Sequence, residues 1–267
     1  YLVWSFITDF SFLGKTGSPA LSLLSNGNSI ISMHGGTPIQ KTYTFVDAFA
    51  GLGSFTNLGS PCTNLLWPSV VASANVNLTN KFYIVGGPSP VSFTSGLSLT
   101  TPTYTACQTV DSNGSANGYS IAIGADGRVG IAFIKSNSTL DAGDVNFIES
   151  IDNGQTFSAP LKIYDATINA DNTYKGSFRG ISLVYSGNTP NVVFEVTKQN
   201  TSGGYFPKEP GGIMFWSPLL SGSNPNKSKY IARNDSTGST GYIPFYKAFG
   251  HDVLTSICRP SIGVMNN

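Results

Sequence analysis

One pattern recurs along this sequence and limits what it can fold into. Two short runs of alternating apolar and polar residues flank a turn rich in Gly, Asn or Asp. The clearest copy joins Tyr119-Ser120-Ile121-Ala122-Ile123 to Val129-Gly130-Ile131-Ala132-Phe133 through Asp126-Gly127. Alternation of period two buries one face of a strand, and Asp-Gly supplies the positive φ angles of a tight turn. A second copy joins Leu21-Ser22-Leu23-Leu24 to Ser29-Ile30-Ile31-Ser32-Met33 across Asn26-Gly27-Asn28. A third joins Ile181-Ser182-Leu183-Val184-Tyr185 to Val192-Val193-Phe194 across Gly187-Asn188. Pro68-Ser69-Val70-Val71-Ala72 with Phe82-Tyr83-Ile84-Val85 is a fourth, and Pro260-Ser261-Ile262-Gly263-Val264 opens like it and then stops.

The copies start about 50 to 80 residues apart, near or above the period of propeller blades with variable loops. A third apolar strand follows the hairpins, at Val145 to Ser150, at Ile213 to Ser217 and at Tyr43 to Val46. The expected fold is therefore all-β: a β-propeller of four-stranded antiparallel blades, of the six- or seven-bladed type and incomplete in this chain. The expected single domain covers 1–267, with blades near 18–58, 66–105, 117–163 and 178–232 and partial blades at both ends. Tyr1 to Ile7 reads as a third strand, too short to cross a bilayer. Without an initiator Met or a signal peptide, the chain reads as processed or as a piece of something longer.

Charged residues make up 11% of the chain, less than half the usual share, so the polar surface must come from Ser, Thr, Asn and Gly. The formal net charge is +1 with no run of Lys or Arg, which argues against nucleic-acid binding. No stretch approaches a membrane span, and no sequence signal calls for a cofactor. The three cysteines, Cys62, Cys107 and Cys258, lack metal-site or redox-motif spacing. An exported chain pairs two of them, with Cys62 and Cys107 as the expected pair; three buried thiols are the other reading. Sequons begin at Asn77, Asn113, Asn137, Asn200, Asn226 and Asn234, a weak signal in a chain so rich in Asn, Ser and Thr.

Ser150-Ile151-Asp152-Asn153-Gly154-Gln155-Thr156-Phe157 matches Ser-x-Asp-x-Gly-x-Thr-Trp/Phe at each defined position. Asp152 can accept hydrogen bonds from its own turn, Gly154 can take positive φ, and Phe157 should bury on a returning strand near 157–160. In this motif the chain resembles the Asp-box, or BNR-repeat, sialidase-like propellers. The resemblance implies a structural role for Ser150, Asp152, Gly154, Thr156 and Phe157, remote from any active centre. The corresponding place after the next third strand, 217–222, lacks the Asp.

Sialidases carry three clustered arginines, a Tyr–Glu nucleophile pair and an Asp acid. This chain has four arginines, of which Arg128 follows a hairpin turn and reads as an exposed rim residue, and Arg233 sits in a polar loop. Arg179 and Arg259 each precede an innermost strand, and Trp67 and Tyr119 hold the corresponding places in other units. The resemblance turns those positions toward a central funnel, where His251 and Asp252 can reach the same mouth. Guanidinium groups grip carboxylates and aromatic faces stack on sugars, so these six residues are the candidate ligand site. The other reading is that they fill the funnel.

Glycosidase chemistry needs two carboxyl groups, or Tyr with Glu, across one bond. None of Glu149, Glu195 and Glu209 has a place in the funnel, so no catalytic residue is assigned. His34 and His251 are too few for a histidine-rich metal site. Asp141-Ala142-Gly143-Asp144 reads as a polar turn rather than a calcium loop. The expected function is a secreted or cell-surface, non-catalytic propeller that binds a glycan or an extracellular protein, alone or as one module of a larger surface protein. A sialidase-like glycoside hydrolase and a structural or adhesive subunit that contacts other chains of a surface assembly stand as alternatives.

Overall fold

The computed structural model describes residues 10–63, 65–73, 80–87, 90–97, 102–137, 140–168, 173–177, 180–200, 211–221, 228–234 and 260–264. These residues form four antiparallel sheets in two compact units, residues 1–112 and 113–267. In unit 1 the first sheet runs β1 (Lys15–Leu23), β2 (Ser29–Gly36), β3 (Lys41–Asp47) and β4 (Phe55–Gly59), each strand paired with the next. The second sheet runs β5 (Ser69–Ala72), β6 (Lys81–Gly86) and β7 (Val91–Leu97). Its fourth position is shared by β8 (Thr103–Tyr104) and β9 (Gln108–Asp111), both paired to β7.

In unit 2 the third sheet runs β10 (Gly114–Ile123), β11 (Val129–Asn137), β12 (Leu140–Ser150) and β13 (Leu161–Tyr164). The fourth sheet contains a hairpin of β14 (Thr167–Ile168) and β15 (Thr173–Gly176), then β16 (Ile181–Ser186), β17 (Thr189–Asn200), β18 (Gly211–Trp216) and β19 (Lys229–Asn234). Strands β16 to β19 form a four-stranded meander, and β15 pairs with the far end of β17. The only helical turns among the described residues are Ser11–Leu13 and Pro218–Ser221.

The innermost strands of each unit are pegged together by a serine. Ser22 Oγ accepts the Ala72 amide at 2.9 Å, joining β1 to β5. Ser120 Oγ accepts the Leu183 amide at 3.0 Å, joining β10 to β16. Ser182 Oγ in turn accepts the Ile262 amide at 3.4 Å, where the sequence begins another repeat. The first two pegs each satisfy a strand amide that has no ladder partner on that side, an obligatory requirement once the strand is buried. Tyr119 and Ile121 beside Ser120 are buried, whereas Leu21 and Leu23 beside Ser22 are exposed, so the core of unit 1 comes from other positions. In unit 1, Leu24, Ile30, Leu58, Leu65, Val70, Phe82 and Ile84 form one core. In unit 2, Ala132, Ile134, Val145 and Phe147 pack against Leu183, Tyr185, Phe194 and Trp216. Four-stranded meanders stacked through their first strands are propeller blades, and the fold is all-β of that class.

Candidate functional site

Segment 65–67 leads into β5 and is clamped from both neighbouring sheets. Leu65 is fully buried, and its carbonyl accepts the Thr42 hydroxyl from β3. The Leu66 carbonyl accepts the Gly87 amide at 2.9 Å. A Cβ at Gly86 would lie 2.5 Å from Leu65 Cδ2, so glycine is what lets β6 close on this segment. The clamp holds Trp67 at φ 45°, a left-handed backbone rare for a bulky residue. Such outliers persist where the surroundings over-determine them and cluster at ligand sites.

His34, on β2, completes the platform. Its Nδ1 accepts the Trp67 amide at 3.3 Å, and the two rings meet edge to face with centroids 5.7 Å apart. His34 is 7% exposed, and burial pushes its pKa below the ordinary imidazole value. A neutral ring with Nδ1 as acceptor is consistent with both facts. A Cβ at Gly17 would lie 2.6 Å from His34 Nε2, so β1 also makes room for this ring. Trp67 itself is half-buried. Strand register puts the exposed Lys15 and Lys41 opposite Gly36 and Gly35, beside His34 at the same end of the sheet.

The other sequence candidates are placed differently. Tyr119 lies in β10 opposite Phe133 and is only 7% exposed, so it presents little ring surface to a ligand. Arg179, His251, Asp252 and Arg259 lie outside the described residues. Cys62 and Cys107 are joined by a disulfide.

In unit 2 the segment after β12 folds around Asp152. Its Oδ1 accepts the Gln155 and Thr156 amides at 3.0 and 2.9 Å, and its Oδ2 accepts the Thr156 hydroxyl at 2.6 Å. The Ser150 hydroxyl donates to Asp152 Oδ1 at 2.7 Å and accepts the Gly154 amide at 2.8 Å. Asn153 and Gly154 both take positive φ, 60° and 83°. The Thr156 hydroxyl, foremost among these donors, holds the Asp152 carboxyl well below the usual carboxylate range. Phe157 departs from expectation: it is half-buried in an irregular stretch, and the fourth strand starts only at Leu161, after Pro160. Pro160 has no amide to offer a ladder, which delays the strand. The place after β18 is taken by the helical turn Pro218–Ser221.

Unit 1 contains a carboxylate-centred turn that the motif does not reveal. Asp47, at the end of β3, is 1% exposed and accepts the amides of Phe49, Gly51, Gly53 and Ser54 at 3.0–3.3 Å. It closes the connection to β4 as Asp152 closes the connection to β13, through a longer loop. An Asp followed by Gly-Leu-Gly-Ser-Phe was the available signal.

Arg128 is not the exposed rim residue that its turn position suggests. Its side chain is 25% exposed and bridges two carboxylates. Nε and Nη2 reach Asp126 at 3.0 and 2.8 Å, and Nη1 reaches Glu149 Oε2 at 3.1 Å. Glu149 Oε1 accepts the Tyr185 hydroxyl of β16 at 2.6 Å. Burial, then the bond to Glu149, drives the Tyr185 phenol far above its ordinary range, while Arg128 holds Asp126 below its own. A Cβ at Gly130 would collide with the Tyr185 hydroxyl, so this strand position must be glycine. Beside Glu149 opens a cleft of about 420 Å³ with walls from Phe147, Ile151, Phe157 and Leu161.

Among the described residues no three metal-ligating side chains cluster, and Asp144 is engaged by Lys162 at 2.8 Å and by the Ala166 amide. No described helix is long and apolar enough to cross a membrane.

No protein-family model matches the sequence, and no curated protein matches it. Solved structures do match in fold. An alpha-L-arabinanase of Penicillium chrysogenum, complexed with arabinobiose, aligns with a TM-score of 0.51 and 10% identity, over 81% of this chain and 67% of its own. An alpha-L-arabinofuranosidase of Podospora anserina, in complex with cellotriose, aligns with a TM-score of 0.47 and 12% identity, over 84% and 69%. A polysaccharide lyase acting as an ulvan lyase aligns with a TM-score of 0.48 and 13% identity over 76% of this chain, which spans 54% of that enzyme. At 10% identity the likeness to the arabinanase bears on the fold alone, which is that of a β-propeller.

Proposed function

We propose that this chain is a glycan-binding propeller module that works outside the cell, with Trp67 as the ring on which a sugar stacks. The carrying observation is the left-handed, clamped Trp67 beside buried His34. An aromatic face fixed before the ligand arrives loses little conformational freedom on binding. Lys15, which strand alternation puts on the same face of the sheet as His34, serves as a donor for sugar hydroxyls or acidic groups. The arabinobiose complex of the Penicillium chrysogenum neighbour supports a saccharide as ligand class. The hydrogen bonds around Asp152 support kinship with the Asp-box propellers, and the Cys62–Cys107 disulfide supports an oxidising compartment.

Binding without cleavage is favoured by the acidic groups of unit 1. Its described carboxylates are Asp47 and Asp111, and Asp47 is spent on the turn to β4, away from Trp67. Asp111, opposite Val91, is a single carboxylate where hydrolysis of a glycoside needs a pair. The second reading, a glycoside hydrolase, is favoured by the activity of the arabinanase neighbour. A glycan array followed by titration separates the two. Stable saccharide binding that weakens at least ten-fold in Trp67→Ala and survives in Trp67→Phe supports the module. Turnover of fluorogenic arabinosides or sialosides supports the hydrolase instead.

A further inference from the structure

The cleft beside Glu149 differs in chemistry from the Trp67 platform and needs none of its residues. Its walls are apolar, from Phe147, Phe157 and Leu161, and Ile151 stands at its lip 81% exposed. Glu149 is the one charged side chain that lines it. Two carboxylates, Asp126 and Glu149, face one guanidinium, Arg128, so this network keeps a net negative charge. The strand end that carries Glu149 is fixed, because its amide and carbonyl both bond Ser158, at 3.1 and 2.9 Å.

We propose that this cleft binds a lysine side chain of a protein partner. The methylene stem lies along the Phe147, Phe157 and Leu161 walls, and the ammonium meets the Glu149 carboxylate. Charge complementarity selects a cation, and the apolar walls select one on an aliphatic stem. The geometry further separates lysine from arginine. A guanidinium fork needs a suitably directed lone pair on both carboxylate oxygens, and each oxygen has already given one, Oε1 to the Tyr185 hydroxyl and Oε2 to Arg128. An ammonium is a compact charge with rotatable donors and can use one remaining lone pair. The exposed Ile151 then finds cover against the partner's backbone.

The test uses isotope-labelled chain and three capped pentapeptides, Gly-Gly-Lys-Gly-Gly, its Nζ-acetyl form and its arginine counterpart. The lysine peptide should shift the amide resonances of Ile151, Thr156 and Ser158 saturably. The acetylated form should bind at least ten-fold more weakly, and the arginine form several-fold more weakly. Glu149→Gln should lose at least ten-fold in affinity. Ile151→Ser, which leaves the Arg128 network intact, should lose several-fold with the fold unchanged. Equal binding of the acetylated peptide, or no saturable shift at these three amides, overturns the proposal. So does unchanged affinity in both variants.

Discussion

Opening the Cys62–Cys107 disulfide should destabilise unit 1 by an amount that the chain length sets. The bond spans a sequence separation of 45, from the loop after β4 to the segment before β9, and so encloses β5 to β8. Chain-entropy reasoning gives −2.1 − 1.5R ln n for the unfolded-state entropy removed, which for n near this separation is about 4 kcal/mol at 25 °C. With a urea m-value of about 2 kcal/mol/M, the double variant Cys62→Ser, Cys107→Ser should unfold at a midpoint about 2 M lower. The assay is urea unfolding followed by circular dichroism, with and without reductant, and with the disulfide state checked by mass. Reductant should move the parent protein to the variant's midpoint and leave the variant unmoved. A parent whose bond is intact without reductant and opened by it, yet which shows one midpoint in both conditions, would refute the loop-closure reasoning.

Ser120→Ala should cost about 1–3 kcal/mol, because it strands the Leu183 amide inside the stack; urea unfolding against Ser120→Thr reads it. Gly17→Ala should destabilise by a similar amount by displacing His34, and Gly59→Ala, whose added Cβ meets no neighbour but sits at positive φ, should cost less. The lowered His34 pKa makes the unfolded chain the better proton acceptor. Stability should therefore hold above about pH 6.5 and fall as pH drops through the folded value, a slope that His34→Gln removes. Asp152 is lowered in the same sense, so its contribution is present above the ordinary carboxylate range and fades below it. A carboxyl titration by NMR should find Asp152 ionised after exposed carboxylates have protonated.

The blades were legible because their inner hairpins carry both signals, alternation and a turn that demands Gly, Asn or Asp. Gly27, Gly127 and Gly187 all take positive φ at those turns. The fourth strands were not legible. They are short edges whose burial follows the neighbouring sheet more than their own pattern, as in the split β8 and β9 and the late start of β13. Trp67 was visible because it stands before Pro68-Ser69, the opening of a repeat. His34 was not, since its partner lies 33 residues away and no local pattern joins them. Arg128 read as rim because only its own turn is visible in sequence; the register that sets Gly130 opposite Glu149 brings the carboxylate to it. Tyr185 then arrives from another blade, which only the stacking of β16 on the third sheet decides.

The most direct measurement is a crystal structure of the chain soaked with an oligosaccharide that it binds. A pyranose or furanose face should stack on the Trp67 ring, within reach of Lys15, with His34 unmoved beneath it. A saccharide seated elsewhere, with the Trp67 ring uncovered, would contradict it.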